Sequence, residues 1–284
     1  MIQGWQLWLG VLLACLTWNS HASEPSTVSV LVLSPENNYS AEFRHALAQR
    51  LPSRLTLTEE KNTAELVLAL GENAFRQAQS LALPVIGVHV PAQSLREAQE
   101  QGCHCTVVYR EVPPASQLLL LREILPSARR VGVLLGPSSV LTPLPKDKTG
   151  LLFEQRVLKR SEDLPAALAE ILPRVDVLLA LPDALLYSAD TARLILLSSY
   201  RQGKPVIGPD EQFVRAGSLA AAYSSAEGLV DATLLLLQHD GLPETLPEPV
   251  YARAAVAVNP HVARSYGVIA PNIPDIEKRL EAQQ

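Results

Sequence analysis

Val28-Ser29-Val30-Leu31-Val32-Leu33, followed by an amphipathic run from Ser40 to Gln49, sets the pattern of this chain. Short apolar segments rich in β-branched residues alternate with segments whose apolar residues recur at helical spacing. That order belongs to parallel sheets, whose strands are covered by helices on both faces and are therefore apolar on both. Leu66 to Leu70 is the next clear strand, Glu72 to Leu81 a helix and Pro84 to Val90 another strand, with a weaker strand at Leu55-Thr56-Leu57. A second set then begins with a helix from Pro114 to Leu125 and a strand from Arg130 to Leu135. It continues with a short strand near Arg156-Val157-Leu158, a helix from Leu164 to Leu172 and a strand from Val175 to Leu181. A helix from Thr191 to Gln202 and strands at Pro205 to Gly208 and Ser218 to Ala222 complete it. Two such sets predict an α/β protein of two similar lobes, each a parallel sheet flanked by helices.

Ahead of the first strand, Ile2 to Trp18 is apolar and carries no charge, and Ser20 and Ala22 are small residues at the spacing of an export cleavage site. The expectation is a signal peptide over residues 1–22 and a periplasmic chain beginning at Ser23. Two other fates stay open: a single uncleaved membrane anchor, and acylation at Cys15 within Leu12-Leu13-Ala14-Cys15. Trp5, Trp8 and Trp18 all lie in this segment, so the processed chain has no tryptophan.

The formal net charge of −5 survives processing, because residues 1–22 hold no Asp, Glu, Lys or Arg. Basic residues are scattered, which argues against nucleic acid as a partner and against a polybasic membrane patch. Beyond Cys15 the cysteines are Cys103 and Cys105, with His104 between them. Thiolates and imidazole suit Cu(I) or Zn, but no fourth ligand is evident, and two cysteines in a loop or strand, free or in a strained bridge, is the plainer reading. No cofactor is expected.

The second half resembles the ABC-transporter substrate-binding proteins with a type I periplasmic-binding fold, a family whose relatives include aromatic-amino-acid binders. The resemblance runs through Gln117 to Leu134, Val175-Asp176-Val177-Leu178, Gly203 to Glu211 and Val214 to Ala220. It ends with Ala257-Val258-Asn259-Pro260 and Ala263 to Val268. It is strong from about Gln117 to Pro274 and weak before it, where Cys103 to Pro114 replaces the Thr-Gly-containing crossing of the family. The resemblance implies a three-crossing hinge, near Pro113, Ala222 to Ser224 and Pro247 to Tyr251. The N-terminal lobe would be 23–113 plus 224–247, and the C-terminal lobe 114–223 plus 248–284. It also implies a small-molecule ligand between the lobes, hinge closure, and delivery by a monomer to the membrane permease of an ABC importer.

Elementary physics places the ligand in the same cleft, since loop amides and helix N-termini converge beyond the carboxyl ends of parallel strands. The candidate contacts are therefore the polar residues that follow strands. Asn37 and Tyr39 follow the first strand, Gly71 and Asn73 the second, and His89 ends the third. In the other lobe Ser138, Asp183 and Asp210 hold equivalent positions, and Tyr223 lies at the hinge. Asp183 and Asp210 suit a ligand amino group, Tyr39 and Tyr223 an apolar or aromatic one; helix capping is the competing role for Asn37, Asp183 and Asp210.

An enzyme is not expected. The sequence holds no Gly-x-Ser-x-Gly elbow, phosphate-binding glycine loop, dinucleotide fingerprint or zinc-protease signature. The alternative to import is a sensor or accessory protein of the same fold acting through a membrane kinase or an outer-membrane receptor.

Overall fold

The computed structural model describes residues 27–136, 150–183, 185–269 and 271–282. The expected signal peptide with Cys15, and Ser138, lie outside the described residues. The chain runs β1 (Val28–Leu33), α1 (Asn38–Ala48), β2 (Leu55–Thr58), β3 (Leu66–Leu70), α2 (Glu72–Ala78), β4 (Val85–Val90), α3 (Ala92–Glu100) and β5 (Cys105–Tyr109). It crosses into α4 (Pro114–Ile124), β6 (Arg130–Leu135), β7 (Leu152–Val157), α5 (Leu164–Ile171), β8 (Val177–Leu179), α6 (Ala189–Arg201), β9 (Val206–Ile207), α7 (Glu211–Ala216) and β10 (Ala220–Ser224). It then returns through α8 (Ala226–Leu237) and β11 (Val250–Tyr251) and ends in β12 (Ala254–Val258), α9 (Pro260–Ser265) and α10 (Ile273–Glu281).

Among the described residues these strands form two six-stranded sheets, ordered β11-β5-β4-β3-β1-β2 and β12-β10-β9-β8-β6-β7. Every pairing is parallel except β10 with β12. The two-residue side-chain period of a strand explains why the central strands are apolar throughout. On β3, Leu66, Leu68 and Leu70 pack with Phe43 and Leu47 of α1 and with Leu229 and Leu236 of α8. Val67 and Ala69 face the other way, onto Phe75 of α2 and Leu95 of α3. Full burial of one such leucine contributes about 2 kcal/mol. β8 repeats the arrangement, with Val177 and Leu179 against α4 and α10 and Leu178 against α5 and α6.

The first and third crossings depart from the expectation. Within Cys103 to Pro114, the stretch that replaces the family's Thr-Gly-containing crossing, Cys105–Tyr109 is a strand held between β4 and β11. Val250 and Tyr251 pair with Val108 and Tyr109 of that strand. The chain therefore crosses back at Ala252–Arg253, which moves the expected 247/248 boundary past Tyr251.

The three crossings are bonded to one another. The Ser224 hydroxyl donates to the Arg110 carbonyl at 3.1 Å. The Ser225 amide and hydroxyl both donate to the Arg253 carbonyl, at 3.1 and 3.2 Å. α8 can approach the third crossing because residue 228 is glycine; a Cβ there would lie 2.7 Å from the Arg253 carbonyl oxygen. Gln117 is 1% exposed and pairs both amide atoms with the backbone of Ala222, at 3.0 and 3.4 Å. Among the described residues no helix is long and apolar enough to cross a membrane.

Candidate functional site

Strand ends from both sheets meet at a cleft that contains two cavities, of about 680 and 340 Å³. They share Arg110, Glu111 and Val112 of the first crossing, and Pro182 and Asp183 from beyond β8. Five residues expected from the sequence line the larger cavity: Tyr39, His89, Asp183, Asp210 and Tyr223.

Asp183 is 4% exposed and accepts from the Leu185 amide at 3.0 Å. Its carboxylate lies so close to Gly136 that a Cβ there would overlap it, so residue 136 needs to be glycine. Asp210 caps α7, accepting from the Phe213 amide at 2.8 Å. Capping and cavity lining thus coincide in one carboxylate. Tyr187 also lines the larger cavity, edge-on to Phe213 at 6.0 Å, with its hydroxyl donating to the Leu134 carbonyl at 3.4 Å.

His89 owes its place to an irregularity. Val88 pairs with Val108 but Val90 pairs with Tyr109, so His89 is an extra residue in β4. Its backbone is left-handed, with φ of 59°. In a regular strand residue 89 would share a face with Val85 and point into the core of α2 and α3. Val90 takes that place instead: it packs in the same cluster as Val85 and Phe75, and its side chain lies 2.7 Å from where a Cβ on Gly87 would sit. The imidazole is left to the cavity. Burial, and secondarily Arg110, push its pKa down to about 4, so the ring is neutral near pH 7.

Asn37, Gly71 and Asn73 do not line either cavity. The Asn37 side chain caps α1, accepting from the Ser40 amide at 2.8 Å. Gly71 holds φ of 86° at the start of α2, and Asn73 accepts from Arg76 at 3.3 Å. Cys103 and Cys105 sit at the opposite end of β5 as free thiols, the second buried and donating to the Cys103 carbonyl at 3.6 Å. His104 beside them is exposed, and among the described residues no group of three or more His, Cys, Asp or Glu side chains could hold a metal ion.

The residues missed from the sequence are Arg110 and Glu111, which directly follow β5. The Glu111 carboxylate accepts from the Ala92 amide at the start of α3, 3.2 Å away, and burial raises its pKa against the opposing pull of Arg110. Arg110 lies 3.8 Å from both Glu72 and Glu111. The amino terminus of α3, where an anion would otherwise bind, is thus filled by the chain's own carboxylate.

No protein-family model and no curated protein matches the chain. Solved structures do. An ABC domain from Streptococcus pneumoniae in complex with L-Trp superposes with a TM-score of 0.58 at 16% identity, over 88% of this chain and 97% of that one. A ligand-free, open substrate binding protein with adhesive properties from Clostridium difficile gives 0.62 at 15% identity, over 86% and 96%. A conserved domain protein from Vibrio cholerae gives 0.57 at 17% identity, over 90% and 98%. The fold is that of the type I periplasmic binding proteins. In this type I fold the two cavities fall between the lobes, beside the three crossings.

Proposed function

We propose that the chain is an exported solute-binding protein that captures an amino acid or a derivative in the larger cavity and delivers it, as a monomer, to the permease of an ABC importer. The observation that carries this reading is the set of groups around one space. Arg110 suits a ligand carboxylate, Asp183 and Asp210 an ammonium, and Tyr39 and Tyr223 an apolar side chain. The fold adds support, since type I lobes close on a hinge of the kind that Ser224, Ser225 and Arg253 build here. The reading is of a binder and not a catalyst. Asp183 and Asp210 each accept from a backbone amide, and among the described residues no carboxylate pairs with the His89 ring to make it a general base.

The test is a dye-based thermal shift of the chain from Ser23 to Gln284 against amino acids, peptides, nucleosides, sugars, vitamins and metals. A true ligand at a thousandfold excess over its dissociation constant stabilises by about 4 kcal/mol. A response confined to amino acids supports the reading. No response from folded protein overturns it in favour of a sensor or accessory protein acting through a membrane partner.

A further inference from the structure

We propose that the bulge at His89 is a device that turns the imidazole out of the core and holds it in the cleft as the ligand's hydrogen-bonding partner in the first lobe. This rests on the reading of the larger cavity as an amino-acid site.

The backbone supplies the first argument. Bulges are uncommon between parallel strands, and a left-handed φ is disfavoured for any residue with a Cβ. Glycine would hold φ of 59° without strain, yet position 89 is histidine. Residues kept in such conformations cluster at functional sites, where the surrounding structure holds them.

The second argument is the exchange of faces. The core place that residue 89 would occupy beside Phe75 is filled by Val90. The irregularity thus serves packing and cleft together, putting an apolar residue inside and a polar one outside.

The third is the chemistry of the ring. Among the described residues the His89 ring has no hydrogen-bond partner. A neutral imidazole offers one N–H donor and one acceptor nitrogen, and no described residue takes either one. Burial, aided by Arg110 beside it, keeps the ring from gaining a proton and leaves the positive charge on the guanidinium. The pair thus divides the work: Arg110 meets the ligand's charge, and His89 fixes its orientation.

The experiment compares the full chain with His89→Gly, His89→Ala and His89→Asn, using thermal unfolding and calorimetric titration with L-tryptophan. Ala keeps the backbone strain and Gly relieves it, so His89→Gly should melt above His89→Ala by about 3 °C, the reverse of their usual order within a strand. Both should bind L-tryptophan about tenfold or more weakly than the wild type. Asn tolerates the left-handed region and keeps a polar group, so it should retain part of the affinity. Wild-type affinity in His89→Gly, or Ala melting above Gly, overturns the inference with the amino-acid site intact. A wild type that ignores L-tryptophan overturns the reading beneath it. If His89→Gly fails to fold, wild-type affinity in His89→Ala overturns the ligand role equally.

Discussion

The Ser224 hydroxyl donates to the Arg110 carbonyl across 3.1 Å, joining the second crossing to the first at the point where Arg110 begins to line both cavities. Hinge and site therefore share a residue. Ser224→Ala should cost about 1 kcal/mol of stability by leaving that carbonyl short of a donor, read as a lower urea midpoint with an unchanged slope.

Gly228→Ala tests the other side of the hinge. Alanine is the better helix former by about 1 kcal/mol, but its Cβ would meet the backbone of Arg253, which cannot move aside as a flexible side chain would. We expect a net loss of about 1–3 kcal/mol in denaturant unfolding. A stabilised variant would show that α8 and the third crossing are not in close contact.

Asp183→Asn retains an oxygen for the Leu185 amide and removes the charge. Stability should change by less than about 1 kcal/mol, while affinity for L-tryptophan falls about tenfold or more in calorimetric titration, since a charged hydrogen bond is lost. Equal losses in Asp183→Asn and in a variant far from the cleft would remove Asp183 from the site.

The His89 ring sets a pH dependence with a definite sign. Its folded pKa of about 4 lies below the ordinary 6.5, so between these values the unfolded chain binds more protons than the native one. Stability should fall as pH drops from about 6.5 to about 4, by an amount on the order of 2 kcal/mol after allowance for its partial exposure. Glu111 acts in the opposite direction, since its raised pKa means the folded chain takes up a proton first as pH falls. His89→Asn isolates the histidine contribution: urea midpoints measured across pH 4–7 should flatten in the variant.

Much of the architecture was legible because parallel-sheet strands are written in continuous apolar residues. Val28 to Leu33, Leu66 to Leu70 and Val177 to Leu179 need no context to be read. Cys105–Tyr109 was hidden by its flanks: the Cys-His-Cys start draws attention to sulfur chemistry, and the Arg-Glu-Val-Pro-Pro end looks like a loop. α3 was hidden by polarity, since Ala92-Gln93-Ser94-Leu95-Arg96-Glu97-Ala98-Gln99-Glu100 buries only Ser94, Leu95 and Ala98.

The strand-end rule led to Asp183, Asp210 and Tyr39, and equally to Asn37, Gly71 and Asn73, which serve the first turns of helices. The rule locates the end of a strand and says nothing of side-chain direction. Arg110 and Glu111 obey it too, and were missed only because their strand was. The bulge had no signal at all, because Val88-His89-Val90 reads as an unbroken strand.

The first sheet draws its edge strand from residues 250–251 and one covering helix from residues 226–237. A ribosome must therefore deliver the chain through Tyr251 before that lobe has all its parts. Until then its apolar strands lack the contacts of largest sequence separation, which are the slowest to form. The order of synthesis thus makes the covering helix and the edge strand the last parts of that lobe to arrive.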